Sequence, residues 1–427
     1  MNQTSTLRTP RIATMAEELV GSEIIKLAGE IKARMNQGEE IFNFTIGDFD
    51  PAIFPIPVEF SEEILRAYQN NETNYPPSNG MPELRAELAS FMQEELGLTY
   101  HADDFLVAGG ARPIIYAAFQ ALVNPGEKVI FPVPSWNNNH YTHLSRGTQV
   151  FVETTAHNNF MPSADELKEH VSDAALIALC SPLNPTGTVF SQEQLLSICN
   201  LVLEENARRG PEAKPLYLMY DQIYWQLCQP GTQHVDPVSL CPEMRQYTVY
   251  VDGISKALAA TGVRVGWGFG PAHIINKMKA ILGHVGAWAP RAEQVACAKY
   301  LQNRSAVRSY LIDIRQKAGE RMTAIFEGCE KLRAKGYAVQ AIAPKAAIYL
   351  TIQFDLVGKT TAQGEYLDSV EKVTAYLLNN AGLAIVPFYA FGSSRESNWF
   401  RLSIGTASMG DIPRMLDRLE SALSELR

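Results

Sequence analysis

Apolar residues along this chain fall into short runs separated by longer stretches of helical periodicity. The short runs are FLVA (105–108), KVIFP (128–132), TQVFVE (148–153), LIALCS (176–181), LYLMYD (216–221), YTVYVD (247–252) and VRVGWGF (263–269). Their length and mixture of apolar residues predict strands. Between them lie helix-length segments: PIIYAAFQALV (113–123), SADELKEHV (163–171) and SQEQLLSICNLVLEENARR (191–209). Ser163 and Ser191 are suited to cap the last two, each being followed by acidic or amide residues in the first turn. Strand–helix alternation of this kind predicts an α/β domain whose mostly parallel sheet is flanked by helices.

From about residue 305 the pattern changes. A long helical stretch (305–334) leads into AIYLTIQF (347–354), a helix near 366–381, LAIVP (383–387), NWFRLSIG (398–405) and a last helix from 410. This predicts a smaller α+β domain. The first 50 residues hold a helix and the run EIFNFTIG (40–47), expected to pack with it. The expected division is therefore 1–50, a large domain over 51–305, and a small domain over 306–427.

Composition narrows the function classes. Hydrophobic residues make up 46% and charged residues 19%, enough apolar content for large cores and too much for disorder. The formal net charge is −9, with no dense basic stretch, which argues against a nucleic-acid or membrane-surface partner. No apolar run approaches the roughly 18 residues of a membrane span, and MNQTSTLRTPRIATMAEEL has no apolar core of a secretory signal. The six cysteines, at 180, 199, 228, 241, 297 and 329, show no CxxC spacing and no His cluster accompanies them. A reducing, cytoplasmic setting and no metal site are expected.

In a parallel sheet, ligands bind beyond the carboxyl ends of the strands. Gly109-Gly110-Ala111 follow the first run and open a helix, offering free N–H groups to a phosphate. Ser255 and Arg264 add a hydroxyl and a guanidinium fork for the same phosphate. Trp136 suits stacking on a flat ring. Asp221 suits a protonated ring nitrogen, and Asn184 and Tyr224 suit a ring oxygen. Lys256, among small apolar residues, would lose its proton readily and form a Schiff base. Taken singly, each has a plainer reading: a turn for the glycines, a cap for Asp221, packing for Trp136, a surface lysine, an ion-pairing arginine. Taken together, they describe a site for pyridoxal phosphate.

The order of these elements resembles the class I/II pyridoxal-phosphate aminotransferases, of aspartate aminotransferase-like fold, from about residue 40 onward. The most specific piece is SKALAATGVRVGW (255–267), supported by YPPSNGMPELR (75–85), PSWNNNH (134–140), PLNPTG (182–187), YDQIY (220–224) and VPFYAFG…NWFRLSIG (386–405). The resemblance implies that Lys256 bonds the cofactor and moves the substrate Cα proton. It implies that Asp221 keeps the ring nitrogen protonated, that Tyr224 and Asn184 hold the ring oxygen, and that Ser255, Arg264 and the Gly109–Ala111 backbone hold the phosphate. Tyr75 would reach the phosphate of a second subunit, making a homodimer. Arg401 would grip the substrate α-carboxylate, approached by the backbone of Gly47. The implied reaction moves an amino group between an L-amino acid, aspartate or another donor, and a 2-oxo acid such as 2-oxoglutarate.

The chain also departs from the family pattern. Gln222 follows the ring-binding Asp where Glu is usual, and Phe388 follows Pro387 where Gly is common, narrowing the expected pocket. Arg112 stands where the family usually has another residue, and either adds a phosphate or carboxylate contact or faces solvent. Arg291 either binds a dicarboxylate side chain or is structural. A lyase performing β-elimination or β-decarboxylation on the same fold is the alternative reaction. A ligand-sensing regulator is disfavoured, because the residues before IFNFTIG carry no winged-helix pattern and no basic face.

Overall fold

A computed structural model describes residues 12–21 and 23–427. Residues 1–11, part of the stretch read for a secretory signal, lie outside the described residues. Seven strands form the main sheet: β1 (Phe105–Ala108), β2 (Lys128–Val133), β3 (Thr148–Glu153), β4 (Ala174–Cys180), β5 (Tyr217–Asp221), β6 (Thr248–Gly253) and β7 (Gly266–Phe269). Their spatial order is β1-β7-β6-β5-β4-β2-β3. Neighbours from β6 through β3 pair in parallel, whereas β7 runs antiparallel to both β1 and β6.

Burial on both faces explains why these strands are near-continuous apolar runs. Along β4, Leu176 and Ala178 join one core with Val129, Phe131, Met219 and Val249, under helices Ala111–Leu122 and Ala272–Val285. Ile177 and Leu179, the alternate residues, join a second core with Ile130, Leu218 and Tyr250, under helix Gln192–Arg209. That alternation is the two-residue period of a pleated strand. Ser163 and Ser191 each accept from the backbone N–H three residues on, and Glu166 and Gln194 complete the reciprocal bonds. The first of these helices is short, Ala164–Lys168, rather than extending to residue 171.

A separate antiparallel sheet contains, in order, Val386–Pro387, Trp399–Ser403, Tyr349–Phe354 and Val339–Ala341. Helices Arg304–Ala334, Val370–Ala381 and Asp411–Ser424 accompany it. The expectation of a single strand over 383–387 is corrected. Leu383–Ala384 pairs in parallel with Phe42–Asn43, and only Val386–Pro387 joins the antiparallel sheet. Pro387 has no N–H to donate and accordingly sits on an edge strand. The run read as a strand over 263–269 begins only at Gly266, because Arg264 lies in the left-handed region at φ 64°.

Removal of the Ser191 cap by Ser191→Ala is expected to lower stability by about 1 kcal/mol. Urea unfolding at fixed protein concentration measures this, and an unchanged midpoint contradicts the capping role.

Candidate functional site

The carboxyl ends of β1, β4, β5 and β6 deliver four loops to one crevice: Gly109–Gly110, Ser181–Gly187, Gln222–Trp225 and the turn at Ser255–Lys256. Gly110 adopts φ 101°, and any side chain there would collide with the Arg264 guanidinium. A side chain at Gly266 would collide with the backbone of Gly110 and Ala111. These two glycines therefore let the Gly110–Ala111 backbone lie against both the Gly266 backbone and the Arg264 guanidinium. Arg264 donates from Nη2 to Gly109 O and from Nη1 to Thr261 O, both at 2.7 Å. Its guanidinium is thereby seated at the N-terminus of helix Ala111–Leu122, where backbone N–H groups lack helical partners. Ser255 is buried in the turn just before Lys256.

Lys256 Nζ donates to Gly47 O at 2.6 Å and lies 5.8 Å from the Tyr224 ring and 5.9 Å from the Phe49 ring. Burial pushes its pKa down to about 8; Asp48 opposes the push, and Arg401, Arg112 and Arg264 add to it. Asp221 ends β5, and its Oδ1 accepts from Ile223 N at 3.0 Å. Burial pushes its carboxyl up to about 6. Tyr224 and Tyr349 share a hydroxyl contact of 2.7 Å, and burial pushes both phenols upward, so both stay neutral.

Arg401 is 1% exposed. It donates from Nη1 to Asn184 Oδ1 at 3.1 Å and from Nη2 to Thr45 O at 2.6 Å, while Nε has no partner. The rings of Tyr349 and Phe391 lie 4.9 Å from its guanidinium carbon. A buried guanidinium without a carboxylate is costly, and such a group could hold an incoming anion. Gly47 borders that group: a Cβ on it would stand 2.9 Å from Tyr349 Oη and 3.5 Å from Arg401 Nη1.

The other expected residues lie outside this hydrogen-bonded cluster. Tyr75 is 81% exposed and packs edge-on against Trp288 at 5.3 Å. Both line a surface cavity of about 560 Å³ with Glu72 and Arg291, and Arg291 Nε donates to Glu72 at 2.6 Å. Trp136 is half-buried, with Arg112 5.5 Å above its ring and Phe391 at 6.4 Å. Phe388 is fully buried against Phe160 at 5.1 Å, in a wall that also contains Ile24 and Phe391. Among the described residues, no group of three or more His, Cys, Asp or Glu is placed to hold a metal ion, and all six cysteines are free.

Sequence reasoning passed over Tyr349, which touches Tyr224 and underlies Arg401. Its one signal was a hydroxyl-bearing ring in the otherwise apolar run AIYL. Thr45 and Asp48 were missed too; Asp48 accepts from Thr261 Oγ1 at 2.8 Å and ties the Gly47 turn to the lysine loop.

A sequence model of the family "Aminotransferase class I and II" matches residues 39–419. The chain belongs to this family. It is 26% identical over 412 residues to an aspartate aminotransferase of Bacillus sp. strain YM-2, covering 96% of this chain and 98% of that protein. It is 28% identical over 408 residues to an aspartate aminotransferase of Rhizobium meliloti, covering 95% and 94%. A crystal structure of the aspartate aminotransferase from Rhizobium meliloti superposes with a TM-score of 0.89 at 26% identity, over 98% of this chain and 100% of that one. The Thermus thermophilus aspartate aminotransferase with maleate superposes at 0.85, also at 26% identity, over 97% and 100%. The fold and the transaminase activity follow from this membership. No helix among the described residues is long and apolar enough to cross a membrane.

In the ligand-free aminotransferase, the rate of amine modification at Lys256 should rise with pH to a midpoint near 8. Peptide mapping after a short pulse of acylating reagent follows this rate, and a midpoint near the ordinary 10.5 contradicts the burial argument.

Proposed function

We propose that this chain binds pyridoxal 5′-phosphate in the crevice and exchanges an amino group between an acidic L-amino acid, aspartate foremost, and 2-oxoglutarate. The observation that carries the proposal is a half-buried lysine with a depressed pKa, at the crevice that also receives an arginine seated on a glycine loop and a strand-end carboxylate that lacks a cation. The donor set fits the cofactor part by part. Ser255, Arg264 and the N–H groups of Gly109, Gly110 and Ala111 would hold the phosphate. Asn184 and Tyr224 would hold the ring oxygen, Trp136 would flank the ring, and Asp221 would hold the proton on the ring nitrogen. When bound, the protonated ring supplies a sink for the electrons left at the substrate Cα.

The residues then divide the work. Arg401, with the Gly47 backbone beside it, orients the substrate by its α-carboxylate, leaving Cα toward Lys256. At a pKa of about 8, a fraction of Lys256 is a free amine at neutral pH, able to bond the aldehyde and later to take and return the Cα proton. The Lys256–Gly47 bond would break on that attachment. Tyr349 stiffens both Tyr224, through its hydroxyl, and Arg401, through its ring.

We further propose a homodimer in which Tyr75 serves the neighbouring subunit, consistent with its exposure and its remove from its own cluster. The units 51–305 and 306–427, with 1–50 packing against the latter, would form a cofactor-bearing lobe and a smaller lobe. Free thiols and acidic net charge favour a cytoplasmic protein.

A panel of single amino acids mixed with the yellow holoenzyme tests the reaction. Aspartate and glutamate should convert the absorbance to that of the aminated cofactor, with the 2-oxo acid released. Ammonia or pyruvate appearing without an acceptor contradicts transamination and supports the lyase. Lys256→Ala should lower turnover by roughly 10²–10⁴-fold or more, as expected for losing a proton-transfer group. Arg401→Lys should lower kcat/KM for the donor roughly 10- to 150-fold, the worth of a charged hydrogen bond. Cofactor affinity should barely change in that variant, and equal losses in both measurements contradict the carboxylate role.

A further inference from the structure

Asp252 is a fully buried carboxylate that the chemistry above does not use. It stands near the end of β6, and its Oδ1 accepts from Gly253 N at 2.7 Å. Oδ2 accepts from Trp225 Nε1 at 2.8 Å and from Gln222 Nε2 at 3.2 Å. Two of the donors lie on the loop after β5, which carries Tyr224, and the third is the last residue of β6, which leads to Ser255 and Lys256. All three are neutral, so the carboxylate is hydrogen-bonded without being neutralised.

Asp221 lies on the adjoining strand, in register with Val251, the residue before Asp252. Burial pushes Asp252 up to about 7, and the Asp221 carboxylate adds to the push. The two side chains leave opposite faces of the sheet at its carboxyl edge yet still interact through their charges, and a cation at either would ease the ionisation of both.

Gln222 is the departure from the family pattern noted above. It is fully buried, and its Oε1 has no partner. Glutamate at this position would set a second acceptor against Asp252 at hydrogen-bonding distance, where glutamine donates. The glutamine is therefore matched to a negative charge at residue 252.

We propose that Asp252 is a positioning residue for the ring-nitrogen end of the cofactor: its buried charge, held by Gln222 and Trp225, reinforces Asp221 in keeping that nitrogen protonated. The proposal rests on the reading of the crevice as a pyridoxal phosphate site. It explains why the amide follows Asp221, and why Trp225 is turned inward to donate.

Asp252→Asn tests the charge with little change of shape. The free Oε1 of Gln222 allows its amide to turn and accept from the new Asn Nδ2 while Asn Oδ1 still accepts from Gly253 N, so only the Trp225 bond is lost along with the charge, in the single and the double variant alike. The double variant Gln222→Glu/Asp252→Asn returns one negative charge to the pair with the partners exchanged. For wild type and both variants, equilibrium binding is measured with pyridoxal phosphate and with an analogue carrying CH in place of the ring nitrogen. Wild type should prefer pyridoxal phosphate. Asp252→Asn should lower that preference about tenfold, the equivalent of one pKa unit, with affinity for the carbon analogue within about twofold of wild type. The double variant should recover most of the preference. An unchanged preference, equal loss for both ligands, or no recovery in the double variant overturns the role of Asp252. Wild-type protein that binds neither ligand overturns the cofactor reading as well.

Discussion

Lys256 and Asp221, half-buried, and Arg401, fully buried, are charges at one crevice, and among the described residues none forms a salt bridge. Burial without a counter-charge is expensive. The protein offsets part of that expense with carbonyls and amides: Gly47 O for the lysine, Thr45 O and Asn184 for the arginine, Ile223 N for the aspartate. The remainder shows as displaced pKa values, each in the direction of the neutral form. A ligand carrying an aldehyde, a basic ring nitrogen and a carboxylate partner would satisfy all three at once. Much of the architecture follows from assembling these groups while leaving them unpaired.

The assembly depends on close backbone approach. The Arg264 guanidinium rests on Gly110, and Gly266 passes against the backbone of Gly110 and Ala111. Because β7 runs antiparallel beside β1, it delivers Gly266 to the start of helix Ala111–Leu122. Arg264 in a left-handed conformation turns the chain from the lysine loop into that strand. The antiparallel sheet adds Arg401 and Tyr349 from neighbouring strands, two positions apart in register. The groups proposed to hold substrate and cofactor therefore sit on different sheets, linked through Gly47 and Asn184.

Most of the main sheet was legible because its strands are buried on both faces and so read as uninterrupted apolar runs. The lysine loop was legible because a lone Lys and Arg among small residues have few structural uses. LAIVP was misread because a run buried throughout carries no record of its partners; residues 42–43, far away in sequence, take one half and residues 400–401 the other. Tyr349, Asp48 and Asp252 escaped for a related reason. Each acts through a hydrogen bond to a residue remote in the chain, and nothing local to a buried Tyr or Asp marks it. The direction of β7 likewise depends on where β1 and β6 lie, which periodicity does not encode.

Lys256 is the proposed attachment point around which the other groups are arranged. Reduction of the purified holoprotein with borohydride, followed by proteolysis and mass spectrometry, tests it most directly. A single phosphopyridoxyl-modified peptide, carrying the group on Lys256, is the expected product. Attachment to another lysine, or no stable adduct on protein saturated with pyridoxal phosphate, contradicts it.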